Sequence, residues 1–268
     1  MRRNRQSFTR FSLEKRQKFI IVSVLSSFLF LLIQITGFEK RFLAICFLTV
    51  LMPLFAIWSL KEALSGIKWL TALILPTLWT AGVGLFYFLL PAVWFSQVPI
   101  VAVYALGIYA LLLTENVFSV AAIRTIQLYR AAQAVGFLLT LLTSFLLFDT
   151  AFSFRLWPWF NSLLIFLISF PLFIQGLWSV TLEEKLSRQT FSLCLVSSLV
   201  LAEIALIISF WPISIAMASL LLTTATYVLL GLSQAHLQER LFRQTINEYV
   251  SVGAFVLLIM LLTTRWGG

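Results

Sequence analysis

Apolar residues along this chain run in long blocks, without the strict alternation of a half-buried strand or the narrow stripe of a soluble helix. Blocks of about 17–25 such residues are long enough to cross a hydrocarbon layer about 30 Å thick as helices, and a backbone in lipid must satisfy its own polar groups. Nine blocks qualify: Phe19 to Thr36, Phe42 to Leu60, Trp69 to Leu90, Val98 to Thr114, Ala131 to Phe148, Phe160 to Val180, Phe191 to Trp211, Ile213 to Leu230 and Tyr249 to Thr264. The seventh and eighth are contiguous and together too long for one crossing, so Trp211-Pro212 is expected to turn the chain between them. The expected fold class is all-α, a polytopic transmembrane helix bundle of about nine spans (8–10). A basic tail (1–18) precedes one membrane-embedded domain (19–264), and a short tail (265–268) follows it.

The polar positions between blocks carry a sign. With the N-terminus cytoplasmic, the inner segments hold Arg2, Arg3, Arg5, Arg10, Lys15, Arg16, Lys18, Lys61, Lys68, Arg124, Arg130, Lys185, Arg188, Arg240 and Arg243. The outer segments hold only Lys40, Arg41, Arg155 and Arg265. Retention of Lys and Arg on the cytoplasmic side of short loops then predicts N-inside, C-outside and an odd number of crossings. Trp58, Trp69, Trp94, Trp157, Trp159, Trp178, Trp211 and Trp266 fall near span ends, where indole suits the lipid–water boundary, and only Trp79 is mid-span. No small-residue cleavage site follows the first block, so it is expected to remain as an anchor.

Composition narrows the class further. Of 268 residues, 61% are hydrophobic and 11% charged, with mean hydropathy +1.00. A water-facing surface needs far more charge, which excludes a soluble enzyme and points to a multi-pass protein of the plasma (inner) membrane whose partner is the lipid bilayer. The net charge of +9 is accounted for by orientation and calls for no nucleic acid. The tail, net +6 over residues 1–18, is a candidate contact for anionic lipid. Protein partners are not legible.

Several local patterns bear on chemistry. Glu115 to Arg130, ENVFSVAAIRTIQLYR, mixes apolar Val117, Val120, Ile123 and Ile126 with Arg124, Gln127 and Arg130, and is expected from Asn116 onward to lie as a helix at the cytoplasmic interface. The stretch resembles segments of uncharacterised bacterial polytopic membrane proteins, a resemblance that implies no activity. Leu182 to Thr190 (LEEKLSRQT) and Leu237 to Thr245 (LQERLFRQT) match at six of nine positions, and each enters an outward-going span. Glu184 with Arg188, and Glu239 with Arg243, have the spacing and order of helical ion pairs. Cys46 and Cys194 are expected at different depths, too far apart for a disulfide. Pro53, Pro76 and Pro171 within spans, with Gly82, Gly84 and Gly176 downstream, can kink or break helices.

Glu203 is the only acid well inside an expected span, which makes it the candidate coupling or substrate group. No basic residue lies deep in any span, which leaves a hydroxyl as its expected partner. Glu183-Glu184-Lys185-Leu186-Ser187-Arg188 fits E-E-x-x-x-R and looks like the first motif of the CAAX-type membrane proteases. That resemblance implies a glutamate-activated water assisted by histidines from two later motifs. This chain departs from the pattern: it has one histidine, His236, with Leu232 where the family has Phe, and none for the second later motif. With one histidine, two distant cysteines and a single aspartate, Asp149, no metal set or cofactor is expected. The expected function is a non-enzymatic permease-like carrier of a small or lipophilic substrate, or a membrane scaffold subunit. The alternative is a membrane-embedded hydrolase using Glu183, Glu184, Arg188 and His236.

Overall fold

Long apolar runs with few breakers fold locally into helices, and the polar turns between them decide where each stops. The computed structural model describes residues 14–35, 38–61, 66, 68–90, 94–121 and 127–264. The expectations placed on Arg2, Arg3, Arg5, Arg10, Arg124, Arg265 and the C-terminal tail lie outside the described residues. Among those described, the chain forms α1 (Lys15–Ile35), α2 (Phe38–Leu60), α3 (Lys68–Tyr87), α4 (Trp94–Ala121), α5 (Tyr129–Ser153), α6 (Pro158–Thr181), α7 (Arg188–Ile208), α8 (Ile215–Leu237) and α9 (Arg243–Thr263). All nine are long and apolar enough to cross a membrane, and no strand occurs among the described residues.

Short connections reverse the chain after each helix, so the bundle has two ends. The end where α1, α3, α5, α7 and α9 begin carries Lys15, Arg16, Lys18, Lys61, Lys68, Arg130, Lys185, Arg188, Arg240 and Arg243. We call it the basic end. The opposite end carries, among the described residues, Lys40, Arg41 and Arg155. Helix stops have identifiable causes. Pro158 opens α6, where its missing N–H costs nothing. Leu182 closes α6 in the left-handed region (φ 51), its N–H donating to the Trp178 carbonyl. Ser187 and Ser214 cap α7 and α8 by accepting from the Thr190 and Met217 N–H groups.

The core divides in two around α5, which packs on α3, α4, α6 and α8. One cluster, drawn largely from α1 to α4, centres on Phe30, Trp79, Tyr87 and Tyr104, with Phe30 and Tyr104 rings 4.9 Å apart. The other, from α5 to α9, centres on Phe148, Phe173, Leu201 and Leu222. Hydrogen bonds from side chains to backbone carbonyls tie helices pairwise: Ser23 Oγ to Ala105 O (2.7 Å, α1 to α4) and Ser162 Oγ to Ala202 O (2.7 Å, α6 to α7). Trp79 of α3 lies over Gly107 of α4, leaving no room for a Cβ there, and its indole N–H donates to Tyr104 O at 3.4 Å. Cys46 is exposed and Cys194 buried, and both are free.

Two expectations are corrected. Residues 116–121 do not lie flat at an interface; they continue α4 as its last turns, because Phe118 is fully buried in a cluster with Ala132 and Trp178, and Ser119 is fully buried beside it in sequence. Residues 122–126 lie outside the described residues, and Tyr129 and Arg130 already belong to α5. Glu184 and Glu239 do not form helical pairs with Arg188 and Arg243, since both acids precede their helix; Glu183 instead accepts the Ser187 N–H at 3.1 Å. Trp178 lies three residues before the end of α6 and is buried against protein, donating to Glu183 O at 3.0 Å.

The α3–α4 approach generates a packing prediction. Gly107→Ala is expected to lower the midpoint of detergent-to-SDS unfolding, read by loss of helical circular dichroism, through an overpacking cost of about 1–3 kcal/mol. Adding Trp79→Phe is expected to restore part of the loss. An unchanged midpoint in Gly107→Ala would contradict the packing of indole on glycine.

Candidate functional site

The buried face of α4 repeats at helical spacing through Tyr104, Ile108, Leu111, Glu115 and Phe118. Glu115 therefore points inward by the same periodicity that buries its apolar neighbours. It lies six residues before the end of α4, roughly 9 Å inside the basic end at 1.5 Å per residue, and has no exposed surface. Gln175 of α6 stands six residues before its own helix end and donates from Nε2 to Glu115 Oε1 at 2.8 Å. Thr140 of α5 donates to Gln175 Oε1 at 3.5 Å and, in the shorter contact, to Gly136 O at 2.8 Å. Three helices thus contribute one polar chain from hydroxyl to amide to carboxyl.

The chain is incomplete at its α4 end. Glu115 Oε2, Asn116 Oδ1 and Ser119 Oγ are buried without a hydrogen-bond partner among the described residues. A buried polar atom left unpaired costs about 1–3 kcal/mol, so three on adjacent turns of one helix call for an explanation, such as a bound water or a ligand. Between this group and the basic end stands an aromatic layer. Phe118 packs edge-on against Tyr129 (centroids 6.2 Å), and Trp178 and Ala132 complete the cluster. The Tyr129 hydroxyl donates to Ser179 O at 2.8 Å, and Gln234 Nε2 of α8 donates to Gly176 O at 2.9 Å, holding α5, α6 and α8 together just there. Among the described residues, no group of three His, Cys, Asp or Glu side chains is placed to hold a metal ion.

The residues singled out from the sequence are not part of this arrangement. Glu203 lies on the outward face of α7, exposed, with no hydrogen bond among the described residues. Glu183 is half-buried in the α6–α7 loop, while Glu184 and Arg188 are exposed beside it. His236, exposed at the end of α8, pairs through Nε2 with the Gln189 amide at 3.2 Å. No hydrogen bond among the described residues joins it to Glu183 or Glu184. Nor is Glu203 the only acid inside a helix: Asp149, four residues before the end of α5, accepts from Ser219 of α8 at 3.1 Å. Glu115 escaped notice because Glu115-Asn116 reads as the end of a span. The signal that could have found it is the apolar spacing resuming through Val117, Phe118, Val120 and Ala121.

The glutamate–glutamine bond is testable by a double-mutant cycle in the same SDS titration. Gln175→Leu strands the carboxyl and is expected to destabilise by about 1–3 kcal/mol. Glu115→Leu combined with Gln175→Leu is expected to be more stable than the sum of the single effects by at least about 0.5 kcal/mol. Strict additivity would mean that the two side chains do not meet.

The chain belongs to the family described as protein of unknown function (DUF5656), whose model matches residues 22–263. The match covers all nine helices in whole or in large part and brings no activity with it. No curated protein and no solved structure matches the chain.

Proposed function

We propose that this DUF5656 member is a multi-pass protein of the plasma (inner) membrane, with a cytoplasmic N-terminus and an external C-terminus. Its function in this proposal is non-enzymatic, permease-like carriage of a small or lipophilic substrate. The observation that carries the transport assignment is Glu115, an ionisable side chain enclosed among helices, one oxygen held by Gln175 and the other unpaired among the described residues. Ionisable groups inside membrane bundles are costly and mark substrate or ion pathways by default. An apolar groove of about 260 Å³ between α4 and α5, lined by Tyr109, Leu113, Thr114, Val117, Ala132 and Val135 and not by Glu115, has a surface suited to a lipophilic molecule. The orientation is supported by ten described cations at the basic end against three at the other.

The hydrolase alternative gains nothing from the positions of Glu183, Glu184 and His236. A general base must lie within hydrogen-bond reach of the water it activates, and the histidine that would assist it is engaged with Gln189 instead.

Two measurements test these assignments separately. Reporter fusions after residue 268 are expected to be active only outside the cytoplasm; a cytoplasmic reporter would overturn the orientation and the odd count. In proteoliposomes, wild-type protein is expected to dissipate an imposed proton or sodium gradient or to accumulate ethidium, a lipophilic cation. Glu115→Gln is expected to slow that flux at least tenfold. No flux of any of the three probes above protein-free vesicles, or equal rates in the variant, would overturn the carrier assignment.

A further inference from the structure

The unpaired oxygens of Glu115, Asn116 and Ser119 are all set out by α4. At about 3.6 residues per turn, Ser119 falls roughly 40° round the helix from Glu115 and Asn116 roughly 100°, so Ser119 stands between the other two, one turn nearer the basic end. Side chains four apart on a helix have Cβ atoms only about 5–6 Å apart, and all three share one side of α4 within a single turn. Glu115 and Ser119 have no exposed surface, and Asn116 is half-buried. A carboxylate oxygen and an amide oxygen only accept, while a hydroxyl accepts and donates once. The set therefore cannot satisfy itself: one hydroxyl hydrogen serves only one of two acceptors.

Charge narrows the choice of what else could. Among the described residues the carboxyl has one hydrogen-bonding partner, the neutral amide of Gln175. A water molecule would bring two hydrogens but no charge, leaving a carboxylate inside the bundle without a counter-charge. One carboxylate is balanced by one positive charge. A divalent ion would exceed it, and no group of three His, Cys, Asp or Glu side chains is placed for one among the described residues. Phe118, on the same turn, is fully buried as well, so the occupant must be compact.

We propose that Glu115 Oε2, Asn116 Oδ1 and Ser119 Oγ bind a sodium ion, with water completing its coordination. This names the ligand of the site assigned above and rests on Glu115 being a binding group, but not on the ion being carried. Oxygen donors suit a hard cation, and the one carboxylate leaves the loaded site neutral. Gln175 is a positioning residue: its amide holds Oε1 from α6, which leaves Oε2 for the ion. Asn116, the half-buried member, gives the site its edge toward the outside of the bundle.

The test is equilibrium binding of radiolabelled sodium to the purified full chain in detergent, with choline holding the ionic strength. Wild type is expected to bind sodium saturably. Glu115→Gln is expected to abolish binding, and Asn116→Ala and Ser119→Ala each to weaken it about tenfold or more. Asp149→Asn, which alters the acid held by Ser219, is expected to bind as wild type does. Sodium is also expected to raise the SDS unfolding midpoint of wild type above its value in choline and to leave that of Glu115→Gln unmoved, since a ligand of the folded state stabilises it. Oxygens served by water alone give neither response and overturn the proposal. So does sodium binding that survives all three α4 substitutions or is lost equally in Asp149→Asn. Methylammonium displacing sodium at equal or lower concentration overturns the assignment to a metal ion in favour of an amine. Absence of sodium binding beside a Glu115-dependent flux of protons or ethidium overturns this inference and leaves the carrier standing; sodium binding without flux does the reverse.

Discussion

A helix in hydrocarbon gains little by leaving lipid for another helix, because lipid tails are as apolar as leucine; what draws helices together is close packing and the pairing of polar atoms. Placed in a membrane, this bundle depends on that constraint throughout. Hydroxyls and amides reach across to carbonyls of neighbouring helices, as Ser23 does to Ala105, Ser162 to Ala202, Tyr129 to Ser179 and Gln234 to Gly176. Bare glycine surface takes aromatic faces: Trp79 covers Gly107, and Tyr249 covers Gly231 so closely that neither glycine could carry a methyl group. The tyrosine contact is also part of what holds the otherwise peripheral α9, of which only Met260 is a buried helix residue.

The same constraint isolates Glu115. The two core clusters meet along α5, and the polar chain of Thr140, Gln175 and Glu115 sits where α4, α5 and α6 converge beneath Phe118, Tyr129 and Trp178. Among the described residues the carboxyl is satisfied on one oxygen and open on the other, as one of several buried polar groups with capacity unused.

The echo of Leu182 to Thr190 in Leu237 to Thr245 acquires a geometric meaning. Arg188 and Arg243 stand at the same place in the two motifs and each begins its helix, α7 or α9. The turns differ in chemistry, since Ser187 caps α7 with its hydroxyl while Phe242 offers α9 none. What the motif encodes is therefore a break and a restart at one end of the bundle, with its acids in the turn.

Helix number and approximate position were legible in the sequence because block length against hydrophobic thickness is a one-dimensional property. All nine expected blocks correspond to helices, including the reversal at Trp211-Pro212. The ends were less legible: α4 runs past Glu115-Asn116 because a polar pair terminates a span only if it meets water, and here it meets Gln175 and buried Phe118. Which acid faces inward was decided by tertiary structure alone. Glu203 and Glu115 are both glutamates in apolar helices, and depth along the chain ranks Glu203 as the more buried. Rotation about the helix axis, set by contacts with helices distant in sequence, turns Glu203 outward and Glu115 into the core. No pattern within a uniformly apolar helix records that rotation, because lipid and protein interior reward the same residues.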